Sequence, residues 1–214
     1  INEAGHAFAG HTEIYATYTG TKKYAMLLVE DHINVIHVST HVSLRQACDL
    51  VQKDRIVQVI ELLVDGLKRL GKTNLTIGVA GLNPHAGDNG LFGTEEAEQI
   101  IPAIEAAREL GYTVEGPVPP DTMFAKAAMG AYGGVVAMYH DQGHIPFKLA
   151  GFRWNEEKQQ MDSVKGVNIT LGLPIIRTSV DHGTAFEIAG KGIASADAMV
   201  LAIESAVQLS KYKA

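Results

Sequence analysis

Three of the nine histidines share a setting that suits chemistry. His41 follows the run "INVIHVST", His85 follows "LTIGVAGLNP", and His140 closes "GVVAMY". In open α/β sheets, sites form outside the carboxyl ends of the strands, where three strands could deliver three imidazoles to one ion. Neutral imidazoles suit zinc and similar divalent ions, and three protein ligands leave positions open for substrate. No HExxH or other local ligand spacing marks the trio, so three unrelated loop or cap histidines are the plainer reading of the pattern alone. His140 and His144 in "HDQGHIPFK" have the four-residue spacing of one helix face. Gly143 and Pro146 oppose a regular helix there. His140 is therefore read as a strand end, and His144 as a neighbour that shapes the pocket or contacts substrate.

Other polar residues suit an anion. "GHTE" (10–13) offers His11 and Thr12 after a glycine, in an expected loop. Lys148, Asn168 and Arg177 supply an ammonium, an amide and a guanidinium near the ends of expected elements. Together they could hold a carboxylate or phosphate, with Arg177 suited to bidentate contact, although each alone reads as a surface residue or structural hydrogen bonder. Asp121 in "PPDTMF" stands at an expected helix N-cap. Lys148, Asp121 and Asp141 are the candidates for a general base. The stretch "DHGTAFEIAGKGIASADA" (181–198) is glycine-rich and ends at a helix, but lacks the Rossmann and P-loop spacings.

Short apolar runs alternating with amphipathic stretches must position these groups. Strands are expected at 24–29, 33–38, 75–82, 112–118, 134–140 and 167–176. A helical stripe over 54–70 carries Ile56, Ile60, Leu63, Leu67 and Leu70 on one face. Residues 94–110 are helical in pattern, with a kink or a helix start expected at Pro102. The last helix should run from about Ser195, a plausible N-cap, to about Leu209. Such alternation indicates an α/β fold with a largely parallel sheet. The segment "YTGTKKYAMLLVEDHINVIHV" reads as a hairpin, which makes the sheet mixed, and the polar stretch 151–166 reads as a surface loop or hairpin.

Bulk properties bound the function. The 214 residues suffice for one large domain or a domain and a half, and are 46% hydrophobic and 20% charged. A net charge of -6 argues against nonspecific binding to nucleic acid or an anionic membrane surface. Cys48 is the only cysteine, which excludes an internal disulfide and a thiolate zinc cluster; an inert buried thiol on a helix is expected there. No apolar run approaches the roughly 20 residues of a membrane helix, and no signal peptide is visible. The expectation is a reducing, cytoplasmic compartment. The chain begins at Ile1 without a methionine.

The motifs "GHTE", "VSTHVSL", "GLNPHAGDNGLFGTEE", "PPDTMF", "YHDQG" followed by a lysine, and "GVNITLGLPIIRTSVDHGTAFEIAG" occur in this order. The chain thereby resembles the 4-hydroxythreonine-4-phosphate dehydrogenase family of vitamin B6 biosynthesis. The insertion at 151–166, which lengthens the link between Lys148 and Asn168, and "HDQGHIPFK" make it look more like the D-threonate and D-erythronate 4-phosphate dehydrogenase branch. The resemblance implies a three-layer α/β/α fold with a mixed, mostly parallel sheet, similar to isopropylmalate and isocitrate dehydrogenases. It implies a metal- and dimer-forming domain over 1–144, with 145–214 as the C-terminal part of a cofactor-binding domain. The family's N-terminal portion has no counterpart before Ile1.

The implied activity is NAD-dependent oxidation and decarboxylation of a 4-phosphorylated hydroxy acid at a divalent metal, zinc foremost, with magnesium or cobalt as alternatives. Metal ligands carry over to His41, His85 and His140, and substrate contacts to His11, Thr12, Lys148, Asn168 and Arg177. His182, Gly183, Thr184 and Glu187 fall in a loop similar to the adenosine-binding loop of the isopropylmalate and isocitrate dehydrogenases. A carboxylate at Glu187 would accept bonds from the ribose and repel a 2′-phosphate, so NAD rather than NADP is expected. The family implies a homodimer whose partner subunit helps complete each metal site. A metal-dependent hydrolase and a non-catalytic binder of phosphorylated acids are the competing classes.

Overall fold

The apolar runs become strands that bury alternate side chains on two opposite faces, and this alternation sets the layering. The computed structural model describes residues 2–151, 154–156, 160–161 and 166–212. Its strands are β1 (Ala25–Val29), β2 (Asn34–His37), β3 (Ile77–Ala80), β4 (Val114–Val118), β5 (Gly134–Ala137), β6 (Trp154–Asn155), β7 (Gln160–Met161), β8 (Val167–Leu171) and β9 (Arg177–Val180). Its helices are α1 (His11–Tyr18), α2 (Leu44–Asp49), α3 (Lys53–Arg69), α4 (Ile101–Glu109), α5 (Pro120–Ala128), α6 (His140–Gly151) and α7 (Asp197–Ser210).

The main sheet has the order β4-β3-β5-β2-β1-β8-β9. β4, β3, β5 and β2 pair in parallel, whereas β1 runs antiparallel to both β2 and β8, and β9 antiparallel to β8. β4, β3, β5, β2 and β8 therefore point one way, and β1 and β9 the other. The sheet is mixed and mostly parallel, as expected. β6 and β7 form the expected separate hairpin; residues 152, 153, 157–159 and 162–165 of that stretch lie outside the described residues.

Leu27, Ile36, Val79 and Val136 face a core built with α3, α4 and α7. Leu28, Val35, Ala80 and Val135 face the opposite core, built with α5 and α6. The result is a three-layer α/β/α sandwich. α3 carries the largest apolar stripe, with Ile56, Val59, Ile60, Leu63 and Leu67 fully buried. Each such side chain stabilises the fold by about 1.5–3 kcal/mol over its exposed state. Asp54 in its first turn and Lys68 and Arg69 in its last complement the helix dipole, and Gly71 at φ 74 turns the chain away.

Several elements differ from the sequence reading. "GHTE" is no loop: α1 begins at His11, after an extended Gly10. β5 ends at Ala137, and His140 starts α6 rather than closing the strand. α6 runs through both Gly143 and Pro146. A Cβ on Gly143 would lie 2.4 Å from His37 Nε2 and 2.8 Å from Val35 Cγ1, so the glycine lets the helix backbone settle on β2. Pro146 gives up one helical hydrogen bond, but the next residue, Phe147, is 1% exposed and anchors the helix in the core.

The run 167–176 stops pairing at Leu171, and the polar segment Arg177–Val180 forms the edge strand. Pro102 sits in the first turn of α4, directly after a π-helical turn over Glu96–Ile100, so a helix does start there. Ser195 lies one residue before the helix-capping position held by Ala196, although its Oγ accepts from Asp197 N–H at 3.2 Å. Among the described residues, no helix is long and apolar enough to cross a membrane.

Candidate metal and anion site

The carboxyl ends of β2 and β5, adjacent in the sheet, bring two of the expected ligands together. His41 follows β2 on a bend and His140 opens α6 after β5; their ring centres are 6.1 Å apart. Each imidazole is tied to a carboxylate through Nδ1. His41 Nδ1 and Glu13 Oε1 are 3.1 Å apart, and His140 Nδ1 and Asp141 Oδ1 are 2.6 Å apart. The hydrogen bond that His41 donates to Glu13 raises the His41 pKa above the ordinary imidazole value, against the opposing effect of burial. The same bond lowers the Glu13 pKa.

Behind His140 stand two further imidazoles. His144, one turn along α6, stacks on it with ring centres 3.7 Å apart and planes 10° apart. His37, the last residue of β2, lies 4.7 Å from His144 and 6.4 Å from His140. His144 Nδ1–H donates to the His140 carbonyl at 3.0 Å, and His37 Nδ1–H to the Met26 carbonyl at 3.4 Å. Both therefore present bare Nε2 atoms when neutral. Burial, followed by the charges of neighbouring imidazoles, depresses both groups: His37 to about 3 and His144 to about 4. His37 went unnoticed in the sequence because it lies inside an apolar strand; its place at the strand's last residue, beside "HVSTH", was the available signal.

The anion-binding candidates also converge, through hydrogen bonds across β8 and β9. Thr170 and Arg177 are cross-strand partners, and Asn168 lies two residues before Thr170, on the same face of β8. Arg177 Nη1 donates to Asn168 Oδ1 at 3.1 Å and to Thr170 Oγ1 at 3.4 Å, and Thr170 Oγ1 lies 3.2 Å from Thr12 Oγ1. The structure thus joins Thr12, Asn168 and Arg177 through Thr170, a residue that sequence reasoning missed. Desolvation by burial lowers the Arg177 pKa. Lys148 donates to the carbonyl and to Oδ2 of Asp181, both at 3.2 Å. Its charge contributes to the lowered pKa of His144, which places the ammonium within electrostatic reach of the imidazole stack. His11 is exposed at the start of α1.

His85 stands apart. Among the described residues no three His, Cys, Asp or Glu side chains are grouped to hold an ion. His85 lies on a loop whose residues 85–89 all adopt positive φ, with its ring 6.5 Å from Phe92. Glu96, 4% exposed, pins this loop by accepting from the N–H groups of Leu82 (2.8 Å) and Asn83 (2.7 Å) and from Asn83 Nδ2 (2.9 Å). Gly87 belongs to the same arrangement, since a Cβ there would lie 2.8 Å from Glu96 Oε2.

Asp121 caps nothing: it sits inside the first turn of α5, whose capping position is Pro119. It lines an apolar hollow with Asp141, Phe124, Ile145 and Leu149. His182, Gly183 and Thr184 lie exposed on the loop after β9, and His182 Nδ1–H donates to the Gly183 carbonyl at 2.9 Å. Ala185 takes a left-handed conformation at φ 48 before a short turn that includes Glu187, whose side chain lies outside the described residues. A Cβ added at Gly183, Gly190 or Gly192 would meet nothing within 4 Å.

The His41–His140 pair fits a divalent ion. A metal–nitrogen distance of about 2.0–2.1 Å puts an ion roughly 3 Å from each ring centre, and rings 6.1 Å apart can share one. Both Nδ1 atoms are occupied by carboxylates, which leaves the Nε2 lone pairs for coordination, the usual arrangement of metal-bound imidazoles.

Fold and site define a three-layer α/β protein with a histidine–carboxylate pair and an arginine hydrogen-bonded to Asn168 and Thr170 at the ends of its strands. The chain belongs to the family described as pyridoxal phosphate biosynthetic protein PdxA, whose model matches residues 1–206. It is 51% identical over 210 residues to a D-threonate 4-phosphate dehydrogenase of Pectobacterium atrosepticum, covering 98% of this chain and 61% of that protein. It is 52% identical over 209 residues to a 4-hydroxythreonine-4-phosphate dehydrogenase of Desulfosudis oleivorans, covering 97% of this chain and 59% of that protein. The crystal structure of a 4-hydroxythreonine-4-phosphate dehydrogenase from Klebsiella pneumoniae superimposes with a TM-score of 0.78 at 50% identity, covering 98% of this chain and 61% of the other. The chain therefore spans about three fifths of the length of these relatives.

Proposed function

We propose that the chain carries the metal and substrate site of a dehydrogenase that oxidises and decarboxylates a 4-phosphorylated hydroxy acid with NAD. The D-threonate or D-erythronate 4-phosphate type is preferred over 4-phosphohydroxy-L-threonine. The observation that carries this reading is the convergence of the His41–His140 pair and the Thr12–Thr170–Arg177–Asn168 cluster on one sheet. An imidazole pair alone would suit many metal-dependent reactions; an anion site beside it selects an acidic substrate.

His41 and His140 would hold a divalent ion, with His85 of a second copy of the chain completing the set. Arg177 would bind a phosphate or carboxylate oxygen, and Thr12 would orient the substrate by hydrogen bonding. Lys148 is an acid–base candidate within electrostatic reach of the imidazole stack, and the buried Asp181 carboxylate fixes its ammonium. Geometry thus favours it over Asp121, which faces the apolar hollow, and over Asp141, which is engaged with His140. When bound, a divalent ion supplies Lewis-acid polarisation and NAD accepts the hydride. The loop bearing His182, Gly183, Thr184 and Glu187 is assigned to the adenosine end of NAD. A panel of phosphorylated threonine, threonate and erythronate with NAD and zinc tests the reading; phosphate release without NAD reduction would make the protein a hydrolase instead.

A further inference from the structure

Glu13 lies in the first turn of α1, yet its carboxylate leaves the helix end and reaches a histidine 28 positions away. Oε1 meets His41 Nδ1 at 3.1 Å, and Oε2 is buried with no hydrogen-bond partner among the described residues. A buried acceptor without a partner costs about 1–3 kcal/mol, and the hydrogen bond to His41 is the largest cause that holds the carboxylate ionised there. The backbone is shaped to permit it. A Cβ on Gly10 would lie 3.0 Å from both Glu13 Oε2 and His41 Cε1, and 3.2 Å from His41 Nδ1. Glycine at this position lets carboxylate and imidazole close over that point without displacement.

A carboxylate accepts a hydrogen bond and cannot donate one when ionised. The contact therefore selects the His41 tautomer with its proton on Nδ1 and turns the Nε2 lone pair away from Glu13. The neighbouring ring repeats the device: Asp141 occupies Nδ1 of His140. The two rings, 6.1 Å apart, are thus fixed in the same sense by acids from different elements.

We propose that Glu13 is a positioning residue of the metal centre, holding His41 in the Nδ1–H tautomer so that Nε2 is presented to a divalent cation. This rests on the assignment of His41 and His140 as ligands. It adds an outer carboxylate to which neither the family resemblance nor the relatives' names assign a role.

The test compares tag-free wild type, Glu13→Ala and Glu13→Gln, with His41→Ala as the ligand control. Two properties are read: zinc affinity by competition with a chelator, and the His41 tautomer by long-range proton–nitrogen correlation spectra of metal-free protein. Loss of an outer-shell partner weakens metal binding about 10- to 100-fold, and Glu13→Ala should show this together with a mixed tautomer. Glu13→Gln keeps an acceptor oxygen and should recover most of the Nδ1–H tautomer and part of the affinity. A purely structural residue would change the thermal midpoint without changing either readout. Wild-type protein that takes up no zinc would overturn the metal assignment itself. Wild type that binds zinc while Glu13→Ala binds it equally well, or a wild-type His41 protonated on Nε2, would overturn the role of Glu13 alone.

Discussion

The imidazoles of His140 and His144 lie face to face, with ring centres 3.7 Å apart and planes within 10°. The four-residue spacing in "HDQGHIPFK" therefore does mark one helix face, but the two rings do not converge on an ion as a chelating pair. His144 donates through Nδ1 to the His140 carbonyl and packs its ring against that of His140, with the fully buried His37 beyond. The column holds the plane of one expected ligand from behind.

Acid should act on this column first. His37 and His144 titrate at about 3 and about 4, below the ordinary imidazole value, chiefly because burial disfavours their charged forms. In the unfolded chain both protonate near the ordinary value of about 6.5, so below that pH the unfolded state binds more protons. The stability they allow is fully present above about pH 6.5 and is lost as pH falls toward their folded values. His41 acts in the opposite sense: raised by Glu13, it contributes most below about pH 6.5 and loses that contribution as pH rises through its folded value. Denaturant titrations of metal-free protein should find His37→Leu within about 1.5 kcal/mol of wild type at neutral pH. Between about pH 6.5 and about pH 4.5 the variant should lose roughly 2–3 kcal/mol less than wild type.

Gly143→Ala tests how closely α6 rests on β2. The added methyl would meet His37 Nε2 at 2.4 Å and Val35 Cγ1 at 2.8 Å, both on the strand beneath. Overpacking of this kind costs about 1–3 kcal/mol. Thermal unfolding should show a lower midpoint, and zinc affinity should fall with it because His140 moves with the helix.

Glu96→Ala should release the loop that carries His85. Its carboxylate accepts from Leu82 N–H, Asn83 N–H and Asn83 Nδ2, and its loss leaves two part-buried backbone donors without their acceptor. A cost of about 2–4 kcal/mol follows. Hydrogen exchange should accelerate over residues 82–92 while the β1–β2 hairpin stays protected.

Arg177→Ala should weaken phosphorylated acids far more than it weakens the fold, because β9 is an edge strand and the guanidinium bonds only to side chains among the described residues. Calorimetry with a 4-phosphorylated hydroxy acid should show affinity falling roughly 10- to 100-fold, the scale of a lost charge-assisted contact. Arg177→Lys should recover only part of it, since an ammonium lacks the planar fork.

The layered fold was legible because β1, β3 and β5 are short apolar runs, β2 lies in the largely apolar stretch 33–38, and α3 carries a clear stripe, signals that survive without tertiary knowledge. β9 was not, because "RTSV" is a half-buried edge strand without an apolar pattern, held by its pairing with β8. α6 was misread because Gly143 and Pro146 are helix-breaking by propensity, whereas packing on β2 requires the first and the Phe147 anchor offsets the second. His41 and His140 could be recognised from motif and strand-end position. Glu13 and Thr170 could not, since their parts depend on contacts with residues 28 and 158 positions away.

The most direct test of the dehydrogenase account is absorbance near 340 nm, where reduced nicotinamide absorbs, on mixing the chain with NAD, zinc and D-threonate or D-erythronate 4-phosphate. The account predicts a rise that needs all three additions and disappears with a chelator or with His140→Ala. Protein that holds both zinc and the phosphorylated acid yet reduces no NAD would contradict it.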